Sequence, residues 1–289
     1  MNKILILDGY NLIYRARYSG MNKGDHSTIF NFFRGIRPLV EKFNPDITYF
    51  VLEGMPKARL NMSPDYKAQR VYTDKDDFRR QRKEIISLIK NYLPFITVKH
   101  DDYECDDIIN YLANVKHASN DTTIISSDTD FIQSINENNK LYNPVKKSYV
   151  EKTEYDYVSW KSLVGDKSDN IEGFKGIGDK RAKSILSSKD KFNELMSIQE
   201  NKDKFEKNMF MIKFHDITPD VNNIQFTLNQ SKLEWSKLKE TFENYDFNSL
   251  VSKVKTWDKY INTFSNLERN LQNVCWNTIR QQYYTRTKK

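Results

Sequence analysis

The chain has 289 residues, 38% of them hydrophobic and 13% aromatic, and a formal net charge of +7. That length suits one large domain or two small ones, and the aromatic share offsets a modest apolar fraction in building a core. No apolar run approaches the ~18 residues of a membrane span, the N-terminus runs into a buried-strand pattern with no charged leader, and Cys105 and Cys275 have neither the number nor the spacing of a zinc site or disulfide framework.

These features predict a cytoplasmic protein, away from membranes, whose two cysteines are reduced and structural. Cys105 lies between acidic residues, which opposes a reactive thiolate. The positive excess either keeps the protein soluble or holds a polyanion such as nucleic acid; net charge alone leaves both open.

In chain order, Ile4–Leu7 is short, continuously apolar and ended by Asp8-Gly9, the pattern of a buried parallel strand. Ser27 to Phe43 repeats apolar residues at helical spacing, with Ser27 or Thr28 as N-cap. Asn44-Pro45-Asp46 breaks this helix, and Ile47–Leu52 is a second strand. A polar helix runs from Asp74 to Leu93, Pro94 stops it, and Phe95–Val98 is a third strand. Asp106 to Val115 is a helix, Thr122–Ile125 a fourth strand, and Phe131, Ile132 and Ile135 mark a short helix. Leu141-Tyr142 and Tyr149-Val150 flank Asn143-Pro144 as a hairpin. From Tyr155 the strand pattern fades. Val158, Leu163 and Val164 belong to a helix reaching Gly165, and the tail is polar and helical in tendency. The predicted fold class is α/β: a mostly parallel central sheet flanked by helices. A soft boundary near residue 155 separates an α/β unit, 1–154, from a helical subdomain, 155–289.

Carboxylates fall where strands end or helices begin: Asp8, Glu53, the group Glu104, Asp106 and Asp107, then Asp128 and Asp130, then Asp166 and Asp169. On a parallel sheet, ligands gather at the carboxyl ends of the strands. Asp128 and Asp130, two apart after a strand, can face one side. Glu104 and Asp107 share a helix face and Asp106 lies around it. Any one such pair is common, because acids complement helix starts; the conjunction is what points to a shared anionic pocket. Like charges a few Å apart resist joint ionisation unless cations join them, and an all-oxygen donor set favours Mg²⁺ or Mn²⁺. Two such ions about 4 Å apart hydrolyse phosphodiesters without a histidine base. His26, His100, His117 and His215 all lie away from these acids in sequence, and His117 reads as an exposed helix-end residue.

Two basic segments accompany the acids. Tyr66-Lys67-Ala68-Gln69-Arg70, with Arg79, Arg80, Arg82 and Lys83, is either a solvated face or a cationic mouth to the pocket. In Gly173–Ala182, Gly176 and Gly178 flank Ile177, and Lys180, Arg181 and Lys183 follow at a helix start. Glycines let a backbone approach phosphate, and free N–H groups at a helix start bind it. This is the pattern of a helix–hairpin–helix, at about 168–190, that grips DNA backbone without reading bases; the plain alternative is a glycine turn before a helix.

Taken together, Leu7-Asp8-Gly9-Tyr10-Asn11 through Arg15, Tyr66-Lys67 through Arg70, Glu104-Cys105-Asp106-Asp107, Ser127-Asp128-Thr129-Asp130, Gly165-Asp166-Lys167-Ser168-Asp169-Asn170 and the glycine hairpin resemble the bacteriophage and bacterial 5′-nuclease, or flap endonuclease, family. The resemblance spans about residues 1–215 and is nearest to the phage enzymes called ribonuclease H for removing RNA primers. It implies a PIN-like fold with a helical arch at about 66–92 over the active site. The implied activity is Mg²⁺-dependent 5′-3′ exonuclease and flap endonuclease cleavage of 5′ flaps and 5′ duplex ends, DNA or RNA–DNA hybrid, in replication. The implied metal ligands are Asp8, Glu53, Glu104, Asp106, Asp107, Asp128, Asp130, Asp166 and Asp169. Asp8, Lys67, Arg70, Asp128 and Asp130 carry catalysis. Arg15, Tyr66, Lys67, Arg70, Gly176, Gly178, Lys180, Arg181 and Lys183 contact DNA, and a K⁺ ion sits at the hairpin. A monomer is implied, in the host cytoplasm if the chain is phage-encoded, with a single-strand-binding or other replication protein left open as partner. The chain departs from the family at Glu53, where Asp is usual.

Two other readings compete: a non-catalytic structure-specific DNA-binding protein on the same scaffold, and a metal-dependent single-strand ribonuclease. The full set of mutually repelling acids disfavours the first, and the hairpin, suited to duplex backbone, disfavours the second.

Overall fold

A computed structural model of the chain describes residues 1–20, 24–70, 76–228 and 233–286, with side chains as far as residue 274. The Cys275 side chain, the expected helix start at Asp74 and the arch residues 71–75 lie outside the described residues.

Strand β1 (Lys3–Asp8) leads into α1 (Gly9–Tyr18), α2 (Ser27–Phe43), β2 (Ile47–Val51), α3 (Lys57–Met62) and α4 (Asp76–Tyr92). Then come β3 (Ile96–Lys99), α5 (Cys105–Tyr111), β4 (Asp121–Ile125), β5 (Asn139–Asn143) and β6 (Ser148–Val150). Beyond them lie α6 (Tyr157–Val164), β7 (Gly165–Asp166), β8 (Ile171–Glu172), α7 (Asp179–Leu186), α8 (Lys189–Met196) and α9 (Gln199–Ile212). Strand β9 (Gln225–Thr227) and helices α10 (Trp235–Asn244), α11 (Asn248–Val251) and α12 (Val254–Arg286) complete the described chain.

The main sheet has seven strands in the order β6-β5-β4-β1-β2-β3-β9. Strands β5, β4, β1, β2 and β3 are parallel neighbours, and antiparallel β6 and β9 close the edges. The chain builds outward from β1 on one side and then returns beside β1 with β4. That topological switch opens a crevice at the strands' carboxyl ends, where Asp8 and Asp128 lie. The continuous apolar run of β1 has a simple cause. Leu5 and Leu7 enter a core with α1, α2 and α4, while Ile4 and Ile6 enter a second core with α5, so both faces are covered.

Four expectations need correction. The start of α2 has no side-chain cap at either Ser27 or Thr28; the Gln81 side-chain oxygen of α4 instead accepts from the Thr28 and Ile29 amides at 2.9 and 3.4 Å. His117 is buried, its Nε2 paired with the Tyr49 hydroxyl at 2.9 Å. The expected helix to Val115 leaves α-geometry after Tyr111 and finishes as a π-turn, Leu112–Lys116.

The fourth concerns the tail. The boundary near 155 does not separate two cores. Leu238, Phe242, Phe247, Trp257, Tyr260 and Phe264 join the core of α1, α2 and α4. Phe33 meets Phe242 with ring centroids 5.2 Å apart, and Phe95 meets Phe264 at 5.9 Å. Strand β9 pairs with β3 from beyond residue 220. The tail is thus part of both cores, Phe214, Ile217, Ile224 and Leu271 entering the second, while the α6–α9 region also keeps a small cluster of its own. Among the described residues no helix is long and apolar enough to cross a membrane.

Candidate active site

The crevice above β1, β2 and β4 opens into a cavity of about 850 Å³. Its walls carry Asp8, Glu53, Glu104, Asp106, Asp128, Asp130, Asp166 and Asp169 together with Tyr66, Lys67, Arg70 and Arg82. Most residues singled out on sequence therefore meet in one place.

Each acid is placed by its local backbone. Asp8 ends β1 and caps α1, accepting from the Asn11 amide at 3.1 Å and from Ser126 Oγ at 2.7 Å. Glu53 follows β2 and precedes Gly54, where a Cβ would stand 1.9 Å from the His100 carbonyl oxygen. Only glycine lets the strand exit pack this tightly on the 100–103 loop. Asp128 caps the Thr129–Ser134 turn, accepting from the Asp130 amide at 2.9 Å. Asp166 caps the next short turn through the Ser168 and Asp169 amides, which swings Asp169 back to the cavity.

The acids form two electrostatic classes. Glu104, Asp130, Asp166 and Asp169 are matched by cations from the chain. Lys67 pairs with Glu104 and Asp169, Arg70 pairs with Asp169, and Lys161 of α6 bridges Asp130 and Asp166. Burial disfavours the Lys67 charge, but Glu104 and Asp169 outweigh it and hold the ammonium protonated. Asp8, Glu53, Asp106 and Asp128 enter no ion pair among the described residues, and burial with the Asp130 charge raises Asp128 too. Burial, aided by the Asp128 charge, pushes Asp8 up to about 6. Burial and the Glu104 charge push Glu53 up to about 8. Burial and the carboxylates of Asp128, Asp8 and Glu53 raise Asp106 well above the ordinary range. The inner wall is short of positive charge. The Cys105 thiol beside it, 3.7 Å from Asp8 Oδ1, is buried and pushed up, so it is an inert neighbour.

The turn 63–70 sits over this pocket. Tyr66 is buried, its hydroxyl 3.1 Å from Glu104 Oε2 and 3.2 Å from Asp169 Oδ2. Lys67 has a positive φ of 58° and anchors its amide on the Asp169 carbonyl at 3.1 Å. Gln69 and Asn170 join their side chains at 2.7 Å. Arg82 of α4 lies 5.2 Å over the Tyr10 ring at the cavity edge.

Two expected residues fall elsewhere. Asp107 does not line the cavity. It is fully buried, with Oδ2 2.8 Å and Oδ1 2.9 Å from the Arg59 guanidinium and Oδ1 2.8 Å from the His215 amide. Its turn of α5 points at the layer behind the pocket, which removes it from the candidate ligands. Arg15 lies on the far side of α1, in a separate hollow with Arg34, Lys42 and Tyr142.

Downstream, α6 and α7 are joined through β7, β8 and the glycine turn, so the first of these helices precedes the expected 168–190 window. Ile177 is buried with Leu163, Phe174, Ala182 and Ile185, and this anchors the turn. Gly176 has φ +74°, while the Cβ position at Gly178 faces open space. Lys180 and Arg181 follow on α7; Lys183 is tied to Asp179 at 2.8 Å.

Reasoning from sequence missed Arg59, Tyr157 and Lys161. Tyr157 donates to Asp130 Oδ1 at 2.9 Å. Arg59, only 3% exposed, contacts Glu104 as well as Asp107. Lys161 carried one signal, a lone cation on the apolar helix before Asp166; nothing local marks Arg59 as buried.

Residues 3–162 match the family model described as 5′-3′ exonuclease, N-terminal resolvase-like domain. A 5′-3′ exonuclease of Aquifex aeolicus is 29% identical over 287 residues, covering 88% of this chain and 96% of that protein. DNA polymerase I of Caldicellulosiruptor bescii is 30% identical over 227 residues, covering 71% of this chain; the chain spans 26% of that longer protein. Among solved structures, T5 5′-exonuclease with bound zinc superposes with a TM-score of 0.63 at 21% identity, over 75% of this chain and 92% of that one. A bacteriophage T5 D15 flap endonuclease in a pseudo-enzyme-product complex with DNA and metal ions gives 0.61 at 18% identity, over 92% and 99%. At such identities the likeness speaks for a shared fold.

Proposed function

Since the chain belongs to the 5′-3′ exonuclease family, we propose that it is a structure-specific 5′-nuclease acting in replication. It hydrolyses phosphodiester bonds at 5′ flaps and 5′ ends of duplex DNA, RNA primers on DNA included. The observation that carries this reading is the pocket: acids from separate strand ends share one cavity with the basic turn 63–70.

The pocket fits divalent cations, with Mg²⁺ as the proposed ion and Mn²⁺ as its substitute. Its donors are all oxygen, and burial raises Asp8, Glu53 and Asp106, none of which has an ion-pair partner among the described residues. Among the described residues no three His, Cys, Asp or Glu side chains are already drawn around one point. Mg²⁺ keeps several waters and uses one or two carboxylates plus substrate phosphate, so the remaining positions of its shell need no protein donor. The inner ion would draw its one or two direct carboxylates from Asp8, Glu53, Asp106 and Asp128, the others holding its waters. A second ion would draw on Glu104, Asp130, Asp166 and Asp169 once Lys67, Arg70 and Lys161 yield. When bound, such ions activate water and stabilise the leaving oxygen.

The chain's own residues supply the rest. Lys67 and Arg70 stand at the mouth and exchange their carboxylate partners for the scissile phosphate, placing positive charge where negative charge develops. Tyr66 fixes the turn that carries them. The Gly176–Gly178 backbone and Lys180 and Arg181 of α7 take the duplex phosphates, Gly178 leaving open space for close approach; K⁺ at this turn is part of the proposal.

Cleavage of a 5′-labelled flap duplex tests the reading in Mg²⁺, in EDTA and with Asp130→Asn. Metal-dependent flap release that the variant loses is expected. Duplex binding without cleavage in both Mg²⁺ and Mn²⁺ would overturn it in favour of a DNA-binding scaffold.

A further inference from the structure

Arg59 is a charged side chain buried to 3% exposure on α3, behind the face whose Leu60 lines the pocket. Guanidinium offers five N–H donors, and every one of its nitrogens is engaged. Nε donates to the Met211 carbonyl at 3.0 Å, and one terminal nitrogen donates to Glu104 Oε2 at 2.6 Å and Asp107 Oδ2 at 2.8 Å. The other donates to Asp107 Oδ1 at 2.9 Å and to the Lys213 carbonyl at 3.0 Å. One residue of α3 thus joins the start of α5 to the end of α9.

Glu104 receives two cations that differ in kind. Arg59 holds Oε2, helped by the Tyr66 hydroxyl at 3.1 Å. Lys67 holds Oε1 from the turn over the pocket. Arg59 has no spare donor and no room to move. Lys67 has a flexible four-carbon stem, lines the cavity and gives only its ammonium to the pair. Releasing Lys67 frees Oε1 and leaves the carboxylate oriented.

We propose that Arg59 is a positioning residue of the cleavage site, fixing Glu104 through Oε2 so that Oε1 alone is presented to a divalent cation. The inference rests on the nuclease reading and deepens it. Asp107 has a supporting part: its two oxygens hold both terminal nitrogens of the guanidinium and are themselves held by the His215 amide at 2.8 Å and the Glu104 amide at 3.3 Å. Partners that orient a ligand typically contribute 10–100-fold in metal affinity or activity.

The test is Mn²⁺ binding to the full chain, read from the free-ion electron paramagnetic resonance signal, for wild type, Arg59→Lys and Asp107→Asn. Duplex binding in Ca²⁺ and single-turnover flap cleavage run alongside. Lysine keeps the charge but loses the fork. Arg59→Lys should weaken Mn²⁺ binding about 10–100-fold, leave duplex affinity within about twofold, and slow cleavage in a way that added Mn²⁺ partly restores. Wild-type Mn²⁺ affinity in a folded Arg59→Lys protein would overturn the inference. Should that variant not fold, Asp107→Asn decides: it keeps Arg59 but loosens its seat, so a loss smaller than the 10–100-fold range is expected. Unchanged affinity, or a loss that reaches or passes that range, would overturn it. Wild type that binds Mn²⁺ but does not cleave would defeat the nuclease reading and leave the Mn²⁺ comparison standing.

Discussion

Phe242 offers the sharpest test of how the tail belongs to the fold. Its ring is fully buried and meets Phe33, Phe247, Trp257 and Tyr260 with centroid distances of 5.2, 5.5, 6.1 and 6.1 Å. Phe242→Ala removes the ring from a site walled by other large, buried rings, where collapse into the void is restricted. Buried Phe→Ala changes cost about 3–5 kcal/mol, and aromatic pairs each add about 0.5–1.5 kcal/mol beyond area. A loss of about 4 kcal/mol follows. At about 2–4 °C per kcal/mol for a chain of this size, the melting midpoint should fall by about 8–16 °C. Thermal unfolding followed by circular dichroism measures it, and flap cleavage per folded molecule at low temperature should be unchanged. A fall under about 3 °C, or two separate transitions in the wild type, would refute the single shared core.

Lys67→Ala should lower the single-turnover cleavage rate by about 10²–10³ while duplex affinity stays nearly constant; a pure affinity loss would remove Lys67 from the chemistry. Changing Lys180 and Arg181 together to Ala should reduce the salt dependence of duplex binding, by about 0.9 in log–log slope for each phosphate the protein no longer neutralises. An unchanged slope would take the turn out of the interface. In EDTA, stability should fall as pH rises. Asp8 and Glu53 are raised from 3.8 and 4.5 to about 6 and about 8, so the folded state holds more protons than the unfolded one across that window, and deprotonation penalises it. Melting scans between about pH 5 and 8.5 check the sign, and Mg²⁺ should flatten the trend; stability rising with pH would contradict the unpaired inner acids.

The parallel strands were legible because burial on both faces leaves an uninterrupted apolar run, as in Ile4–Leu7. The acids were legible because each ends a run of that kind or opens a helix or turn. What stayed hidden depends on partners distant in sequence. Gln81 caps a helix more than fifty residues earlier, and β9 is three exposed residues that become a strand only by meeting β3. Asp107 and Glu104 look equivalent on their helix face, and it is the Arg59 guanidinium together with the His215 amide, both behind the pocket, that holds Asp107 out of it. The polarity of the tail concealed Phe242, Tyr260 and Phe264, because a helix that buries one stripe can be mostly hydrophilic.

The dependence of the first core on residues 238–267 has a consequence during synthesis. A nascent chain that has emerged only through Val150 holds the main sheet's first six strands and most of the acids, yet the faces of α2 and α4 that meet the tail's aromatic rings still have only water against them. At about 5–20 residues per second the ribosome needs roughly 6–24 s more to deliver that cover. Until then the acidic crevice stands on an unfinished scaffold, and the molecule acquires its full set of contacts only after residues 238–267 have left the ribosome.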